Sequence, residues 1–173
     1  MDPKLENADK EPVKADFKAD ADHAARLYDS KSTGSVMGSF DGNTTSYATK
    51  THTTGISTSS GQSEGVTCKI ACHSIEWTSH LLQELQIRGR GPIKLWQDNQ
   101  SVISLSINPV NHKRSKHYRV AMAYVRDLVE RLIVILEYCA TEDMVADVLT
   151  KALGEDQHWR LLKMARFGKL EWF

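Results

Sequence analysis

Apolar and charged residues alternate near the start of the chain. The apolar positions are Val13, Ala15, Phe17 and Ala19, and the charged positions between them are Lys14, Asp16, Lys18 and Asp20. Because successive side chains of a strand point to opposite faces of a sheet, the alternation predicts a β-strand with one buried face. The preceding residues 1–12 are polar and charged and contain two prolines, so we expect a flexible tail there.

The segment 34–60 is rich in serine and threonine and has two interpretations, a disordered linker or a set of strands. Threonine is favourable in strands. Asp41-Gly42, between "SVMGSF" and "TTSYATK", is a strong signal for a hairpin turn. We therefore predict two or three strands joined by tight turns.

A long helix is predicted over residues 62–86, because apolar side chains recur there at helical spacing. One stripe contains Glu64, Cys68, Ala71, Ile75 and Leu82, and a second stripe on the far side contains Val66, Ile70, Trp77 and Leu81. A helix with two apolar faces is expected to lie between a sheet and another helix. Cys68 and Cys72 share one helical face, and without a second ligand pair nearby we predict that they are buried rather than bound to a metal.

Shorter elements are predicted after a break at 89–92. They are a strand at 93–96 that leads to Asp98, helices at 99–107 and 116–131, the strand "LIVILEYC", and helices at 141–153 and 155–167. Gly154 is expected to end the helix that begins at Thr141. This order indicates an α/β domain with a mixed sheet that is antiparallel at its start. We expect the domain to span 13–153 and to be followed by a C-terminal helical extension over 154–173.

Composition narrows the functional classes. The chain has 173 residues, enough for one domain with a substantial core. Lys and Arg together number 22, as do Asp and Glu, so a histone-like polycation is excluded and any contact with nucleic acid must use local basic patches. Three cysteines without framework spacing favour a reducing compartment. No apolar run approaches the roughly 20 residues of a membrane span, so we expect a soluble, intracellular protein with no membrane partner.

The segment "LWQDNQSV" contains the first candidate for chemistry. Asp98 follows a short apolar run and precedes a new helical pattern. It could cap that helix, since aspartate is a preferred N-cap residue. We favour a functional group instead, because sites in open α/β sheets form at the ends of strands.

Several segments together resemble one known family. They are "YDSKST", "SEGVTCKIA", "LLQEL", "LWQDNQSVISLSINPV", "SKHYRV" and "RDLVERLIVILEYCATEDMVADVLTKAL". In these motifs the chain resembles, from about Val13 to Leu153, the ribonuclease H domain of copia-type LTR retrotransposon Pol polyproteins. The resemblance implies a ribonuclease H-like fold with a mixed five-stranded sheet flanked by helices. The chain departs from the family's pattern at Gln62, Gly65 and Tyr118-Arg119.

The resemblance also implies an activity, the metal-dependent endonucleolytic hydrolysis of RNA in RNA–DNA hybrids. The four carboxylates that carry it in the family fall on Asp20, Glu64, Asp98 and Asp147. They would hold two Mg²⁺ ions, or Mn²⁺ as a substitute, because hard cations prefer oxygen ligands. Two such ions about 4 Å apart can supply the attacking hydroxide and stabilise the leaving oxygen. Glu64 lies on a core-facing stripe, where an unpaired carboxylate is costly.

Periodicity alone does not select all of these residues. Asp20 shares its strand face with Asp16 and Asp22, and only the resemblance chooses among them. Asp147 lies opposite the apolar positions of its predicted helix and could pair with Lys151 on a solvated face. For Asp147, too, the catalytic interpretation rests on the resemblance.

Substrate contact is predicted for two groups of residues. Asn99 and Gln100 are suited to hydrogen-bond sugars and base edges in the wide minor groove of a hybrid. Lys113, Arg114 and Lys116 would hold the phosphate backbone. The implied partners are an RNA–DNA hybrid and an upstream reverse transcriptase domain, in a cytoplasmic virus-like particle or in the nucleus. The alternative is a catalytically inactive retroelement remnant that folds and binds nucleic acid without cleaving it.

Overall fold

A five-stranded mixed sheet organises the described part of the chain, which in this computed structural model comprises residues 12–22, 31–52, 60–87, 89, 91–108 and 116–166. The elements in chain order are β1 (Ala15–Asp22), β2 (Thr33–Phe40), β3 (Asn43–Thr51), α1 (Ser60–Glu84), β4 (Ile93–Gln97), α2 (Gln100–Ile107), α3 (Lys116–Glu130), β5 (Val134–Tyr138), two 3₁₀ helices (Thr141–Asp143 and Val145–Leu149) and α4 (Glu155–Ala165). The strand order is β3-β2-β1-β4-β5. The predicted α/β fold is confirmed, while residues 1–11 of the predicted tail lie outside the described residues.

The serine- and threonine-rich segment forms a hairpin rather than a linker. β2 and β3 pair antiparallel, and β2 also pairs antiparallel with β1. The turn between β2 and β3 is Asp41-Gly42, and both residues have positive φ angles, 48° and 80°. Consecutive positive φ angles match the right-handed twist of a two-residue hairpin, which explains why this dipeptide predicted the turn.

The helix α1 covers one face of the sheet. Its first predicted stripe is buried, and Cys68, Ala71 and Ile75 are fully inaccessible to solvent. The second stripe is only partly covered, and residue Trp77 is 66% exposed. The prediction of two buried faces is therefore wrong for the outer stripe, because α3 packs beside α1 and leaves the outer face of α1 in solvent. None of the described helices combines the length and the hydropathy needed to cross a membrane.

The strand β1 is buried on both faces, contrary to the one-sided burial predicted from its alternating pattern. It lies at the centre of the sheet, and Asp16 and Asp20 are buried on the face away from α1. A second core cluster covers part of that face and contains Met37, Cys139, Met144, Val145, Ala146, Leu161 and Ala165. The charged positions of the alternation thus face a second layer made by the C-terminal part of the chain.

The segment 141–153 does not form the predicted α-helix. It contains the two 3₁₀ helices, separated by Met144 in an extended conformation with φ −76° and ψ 90°. Met144 and Ala146 are completely buried in the second core cluster. Their burial outweighs the weak intrinsic preference of the sequence for a helix. Gly154 does not end a helix but lies at the N-terminal end of α4.

Gly65 of α1 faces the ring of Tyr118 of α3 at close range. A Cβ atom at position 65 would lie 2.4 Å from Cε2 of Tyr118, which is far inside van der Waals contact. Tyr118 is only 3% exposed, so its ring has little room to move away. Two of the positions at which the chain departs from the family pattern, Gly65 and Tyr118, are therefore in direct contact.

Gly65→Ala is expected to lower the free energy of unfolding by about 1–3 kcal/mol through overpacking. In a helical position with free space around it, a Gly→Ala substitution raises the free energy of unfolding by up to about 1 kcal/mol. Gly61→Ala is the matched control in α1, because the atom nearest to its added Cβ, Nδ2 of Asn99, is 3.9 Å away. Urea unfolding followed by circular dichroism measures the free energy of unfolding of both variants. Adding Tyr118→Leu to the Gly65→Ala variant should restore part of the lost stability. Equal effects of the two glycine substitutions would contradict the close packing.

Candidate metal centre

Asp20 and Asp98 lie side by side because β1 and β4 are neighbouring parallel strands. Asp20 is near the C-terminal end of β1, and Asp98 directly follows β4. The side chain of Gln97, which is fully buried, donates a hydrogen bond of 3.0 Å to the carbonyl of Ala19 and joins the two strand ends. After β1 the chain continues to β2 on one side, and after β4 the sheet continues to β5 on the other. Such a switch point is where open α/β sheets form binding sites.

Glu64 completes a group of three carboxylates. It lies near the N-terminal end of α1, and one carboxylate oxygen from each of Asp20, Glu64 and Asp98 lies within 4.8 Å of the other two. Asp20 and Glu64 are buried and Asp98 is half-buried. Oε2 of Glu64 is buried and has no hydrogen-bond partner among the described residues. Because a buried oxygen without a partner is costly, the donor set fits a hard divalent cation, whose preferred ligands are carboxylate oxygens.

Asp98 is not used as a helix cap. Oδ1 of Asn99 accepts hydrogen bonds from the backbone amides of Ser101 and Val102, at 3.0 and 3.3 Å, and so caps α2. Oδ2 of Asp98 instead accepts a hydrogen bond of 3.1 Å from the hydroxyl of Thr141. The capping alternative for Asp98 is therefore wrong.

Asp147 is buried beside this group, and the predicted solvated position is wrong. Its side chain is 2% exposed. The predicted pair with Lys151 is present, with Nζ 2.9 Å from Oδ1 of Asp147, but the same Nζ also lies 3.1 Å from Oδ1 of Asp20. The segment is a 3₁₀ helix, so the 100° rotation per residue of an α-helix does not describe which way Asp147 points.

Two contacts of Asp20, with Thr150 and with Lys151, were not predicted from the sequence. The hydroxyl of Thr150 donates a hydrogen bond of 2.8 Å to Oδ2 of Asp20, and Lys151 pairs with Oδ1. Both belong to the "VADVLTK" motif, so the signal was the motif rather than any periodicity.

Burial and mutual repulsion shift the pKa values of two carboxyl groups. Burial, together with the nearby Asp20 and Asp98, raises the pKa of Glu64 to about 9. Burial and the neighbouring Asp20 raise the pKa of Asp147 to about 7, although Lys151 acts in the opposite direction. In the absence of a cation the cluster therefore retains protons near neutral pH, and a bound divalent cation would favour the ionised forms.

The predicted substrate-contacting residues are placed only in part. Gln100 is exposed at the first position of α2, and Lys116 is exposed at the first position of α3. Asn99 is half-buried, and its side-chain oxygen is occupied by the cap, which leaves the NH₂ group for other contacts. Lys113 and Arg114 lie outside the described residues. The roles of all five residues remain predictions.

Without metal, the free energy of unfolding is expected to fall as the pH rises from about 5 to about 9. The native state keeps a proton on Glu64 that the unfolded chain, with a pKa near 4.5, has already released. This contribution is complete below pH 4.5 and is lost as the pH passes through about 9. Glu64→Gln should weaken the pH dependence and be more stable than the wild type at pH 9.

Urea unfolding in EDTA at pH 5, 7 and 9 measures this difference. Glu84→Gln, at an exposed position of the same helix, is the matched control and should behave like the wild type. A Glu64→Gln variant whose stability follows the wild-type pH profile would contradict the raised pKa.

Comparison with known proteins gives matches to polyproteins of plant transposons. The chain is 32% identical over 100 residues to the retrovirus-related Pol polyprotein from transposon RE1 of Arabidopsis thaliana, a match that covers 58% of the chain. It is 28% identical over 138 residues to the retrovirus-related Pol polyprotein from transposon TNT 1-94 of Nicotiana tabacum, a match that covers 80% of the chain. The matches span only 7% and 10% of these relatives' lengths. No protein-family model matches the chain.

Solved structures with a similar fold are ribonucleases H. LC11-RNase H1, in a complex with an RNA/DNA hybrid, has a TM-score of 0.58 at 12% identity and matches over 79% of this chain and 94% of its own. RNase H1 from Halobacterium salinarum NRC-1 also has a TM-score of 0.58, at 15% identity, over 85% and 98% of the two chains. The resemblance predicted from the motifs is confirmed: the chain is similar in sequence to retrotransposon Pol polyproteins, and it has the fold of RNase H domains.

Proposed function

We propose that the chain is a metal-dependent endoribonuclease that hydrolyses the RNA strand of RNA–DNA hybrids, as the RNase H part of a retrotransposon polyprotein. The observation that carries this proposal is that Glu64 of α1 meets Asp20 and Asp98 at adjacent ends of parallel strands, with one oxygen of each within 4.8 Å of the others. The RNase H-like fold supports the proposal, since the sheet edge at which these carboxylates meet would face the substrate. The similarity to Pol polyproteins supports the retroelement context.

The residues that would hold divalent ions are Asp20, Glu64 and Asp98, with Asp147 as a fourth ligand. Mg²⁺ is the ion that we propose, with Mn²⁺ as a substitute, because each ligand is a carboxylate oxygen. When bound, two such ions supply an activated water and stabilise the leaving oxygen of the phosphodiester. The protein supplies oriented ligands: hydrogen bonds from Thr150 and Thr141 hold the Asp20 and Asp98 carboxylates in position.

The substrate would be recognised by shape and charge rather than by sequence. Gln100 is exposed and two residues from Asp98, within the region that a hybrid must reach to be cleaved. Its amide can hydrogen-bond the 2′-hydroxyls that distinguish RNA from DNA. Lys116 is exposed at the N-terminal end of α3, where backbone amides also favour phosphate. Lys113 and Arg114 would extend this phosphate contact.

A reverse transcriptase domain is the proposed partner within the polyprotein. The structure of a foamy viral protease-reverse transcriptase in complex with an RNA/DNA hybrid has a TM-score of 0.55 to this chain, at 12% identity. The match covers 88% of this chain and 22% of that one. This arrangement supports a domain that acts on hybrids made by a neighbouring polymerase.

Cleavage of a labelled RNA–DNA hybrid in Mg²⁺ tests the proposed activity. Asp98→Asn should reduce the rate by more than about 100-fold, since loss of even an indirect support of a metal ligand costs about 10–100-fold. Asp127→Asn, on the exposed surface of α3, is the matched control and should retain the wild-type rate. A folded wild type that does not cut would indicate the inactive remnant, and cutting by Asp98→Asn would exclude the proposed site.

Thermal unfolding tests the metal site without relying on activity. Mg²⁺ or Mn²⁺ should stabilise the wild type, by about 2.7 kcal/mol when the free ion is at 100 times its Kd. Asp98→Asn should lose most of this stabilisation, whereas Asp127→Asn should keep it. An equal rise in Tm for all three proteins would indicate nonspecific ion binding and contradict the assigned ligands.

A further inference from the structure

Lys151 lies between two buried carboxylates of the candidate site. Its Nζ atom is 3.1 Å from Oδ1 of Asp20 and 2.9 Å from Oδ1 of Asp147. The Lys151 side chain is 30% exposed, whereas those of Asp20 and Asp147 are 1% and 2% exposed. The pair with Asp147 has the i,i+4 spacing of a surface salt bridge, but burial of both carboxylates makes it a different interaction.

The ammonium group occupies a position suited to a metal ion. Two buried carboxylates that approach each other in their ionised forms are stabilised by a positive charge between them, because repulsion in a poorly solvated site is strong. A lysine ammonium is a compact point charge with three donors, and here it serves an oxygen of each carboxylate. The other oxygen of Asp20, Oδ2, accepts a hydrogen bond from the hydroxyl group of Thr150.

The site therefore has two unequal halves. Asp20, Glu64 and Asp98 bring three oxygens together, and one of the Glu64 oxygens is buried without a partner. Asp147 is not part of that group of three and is joined to Asp20 by the ammonium of Lys151. In the second half the protein itself supplies a positive charge, the ammonium group of Lys151, in contact with both carboxylates.

We propose that Lys151 is a built-in counter-cation that holds Asp20 and Asp147 together, and that a second divalent ion binds at these carboxylates only by displacing its ammonium group. This inference rests on the proposed metal-dependent function and deepens it. Two divalent ions would then bind in sequence. The first binds more strongly, at Asp20, Glu64 and Asp98, and the second binds more weakly because it competes with the ammonium group of Lys151. Lys151 is a positioning residue, since it acts through the two carboxylates.

The test is Mn²⁺ binding to the 173-residue chain, measured by calorimetry and by electron paramagnetic resonance. The wild type should bind one ion strongly and a second ion weakly. Lys151→Gln, which removes the competing charge, should tighten the weaker event by about tenfold or more and the stronger event by much less. Lys151→Arg keeps the charge and should resemble the wild type. Lys163→Gln, at an exposed position of α4, removes the same net charge away from the site and should also resemble it.

Stability supplies a second readout. In EDTA, Lys151→Gln leaves two buried carboxylates without their counter-charge, so its Tm should be lower than that of the wild type. Saturating Mn²⁺ should raise the Tm of Lys151→Gln by more than it raises that of the wild type. Lys151→Met, which keeps the apolar part of the side chain, replaces the Gln variant if the latter does not fold.

Three outcomes would overturn the proposal. Unchanged binding constants in Lys151→Gln would mean that the ammonium does not compete with an ion. Loss of the weaker event in this variant would mean that Lys151 is required for that ion rather than displaced by it. If the folded wild type and all its variants bind no Mn²⁺, the proposed metal-dependent function fails and this inference fails with it.

Discussion

The parallel pairing of β1 with β4 is the constraint on which the candidate site depends. It aligns Asp20 and Asp98, which are far apart in sequence, at the same edge of the sheet. The Gln97 side chain ties the two strand ends together through the carbonyl of Ala19. Because the sheet continues in opposite directions on the two sides of this pair, the space beyond the strand ends is left open for ligands.

The same convergence opposes folding. The carboxyl groups of Asp20, Glu64 and Asp147 are taken out of water and brought near one another, and this raises the pKa of Glu64 and of Asp147. The protein limits this cost with the ammonium group of Lys151 and the hydroxyl group of Thr150, and one Glu64 oxygen has no hydrogen-bond partner among the described residues. Functional sites commonly keep such unfavourable electrostatics because the ligand relieves them.

Local patterns were sufficient for the strands, for the Asp41-Gly42 turn and for the buried stripe of α1. They failed where tertiary packing decides the outcome. The alternation along β1 could not reveal that a second layer covers its acidic face, and so could not separate Asp20 from Asp16. Asp147 was misplaced because the helical period was applied to a segment that the burial of Met144 bends into two 3₁₀ turns.

The motifs selected residues that periodicity did not. The segment "VADVLTK" selected Asp147 although its spacing indicated solvent, and "DNQS" selected Asp98 over its alternative as a helix cap; the structure places both near Asp20, and their roles remain predictions. Lys151 could be recognised as a partner of Asp147 from its spacing. Its contact with Asp20 could not, because that contact joins residues 131 positions apart in the chain.

The packing of α4 bears on where the folding unit ends. Leu161 and Ala165 are buried against the segment that contains Asp147, and the carbonyl of Ala165 accepts a hydrogen bond from Thr44. A domain boundary at Leu153, where the resemblance ends, would remove the helix that packs against the segment containing Asp147. Removing α4 would expose the apolar side chains of the second core cluster, so α4 is packed as part of the same unit as the carboxylates.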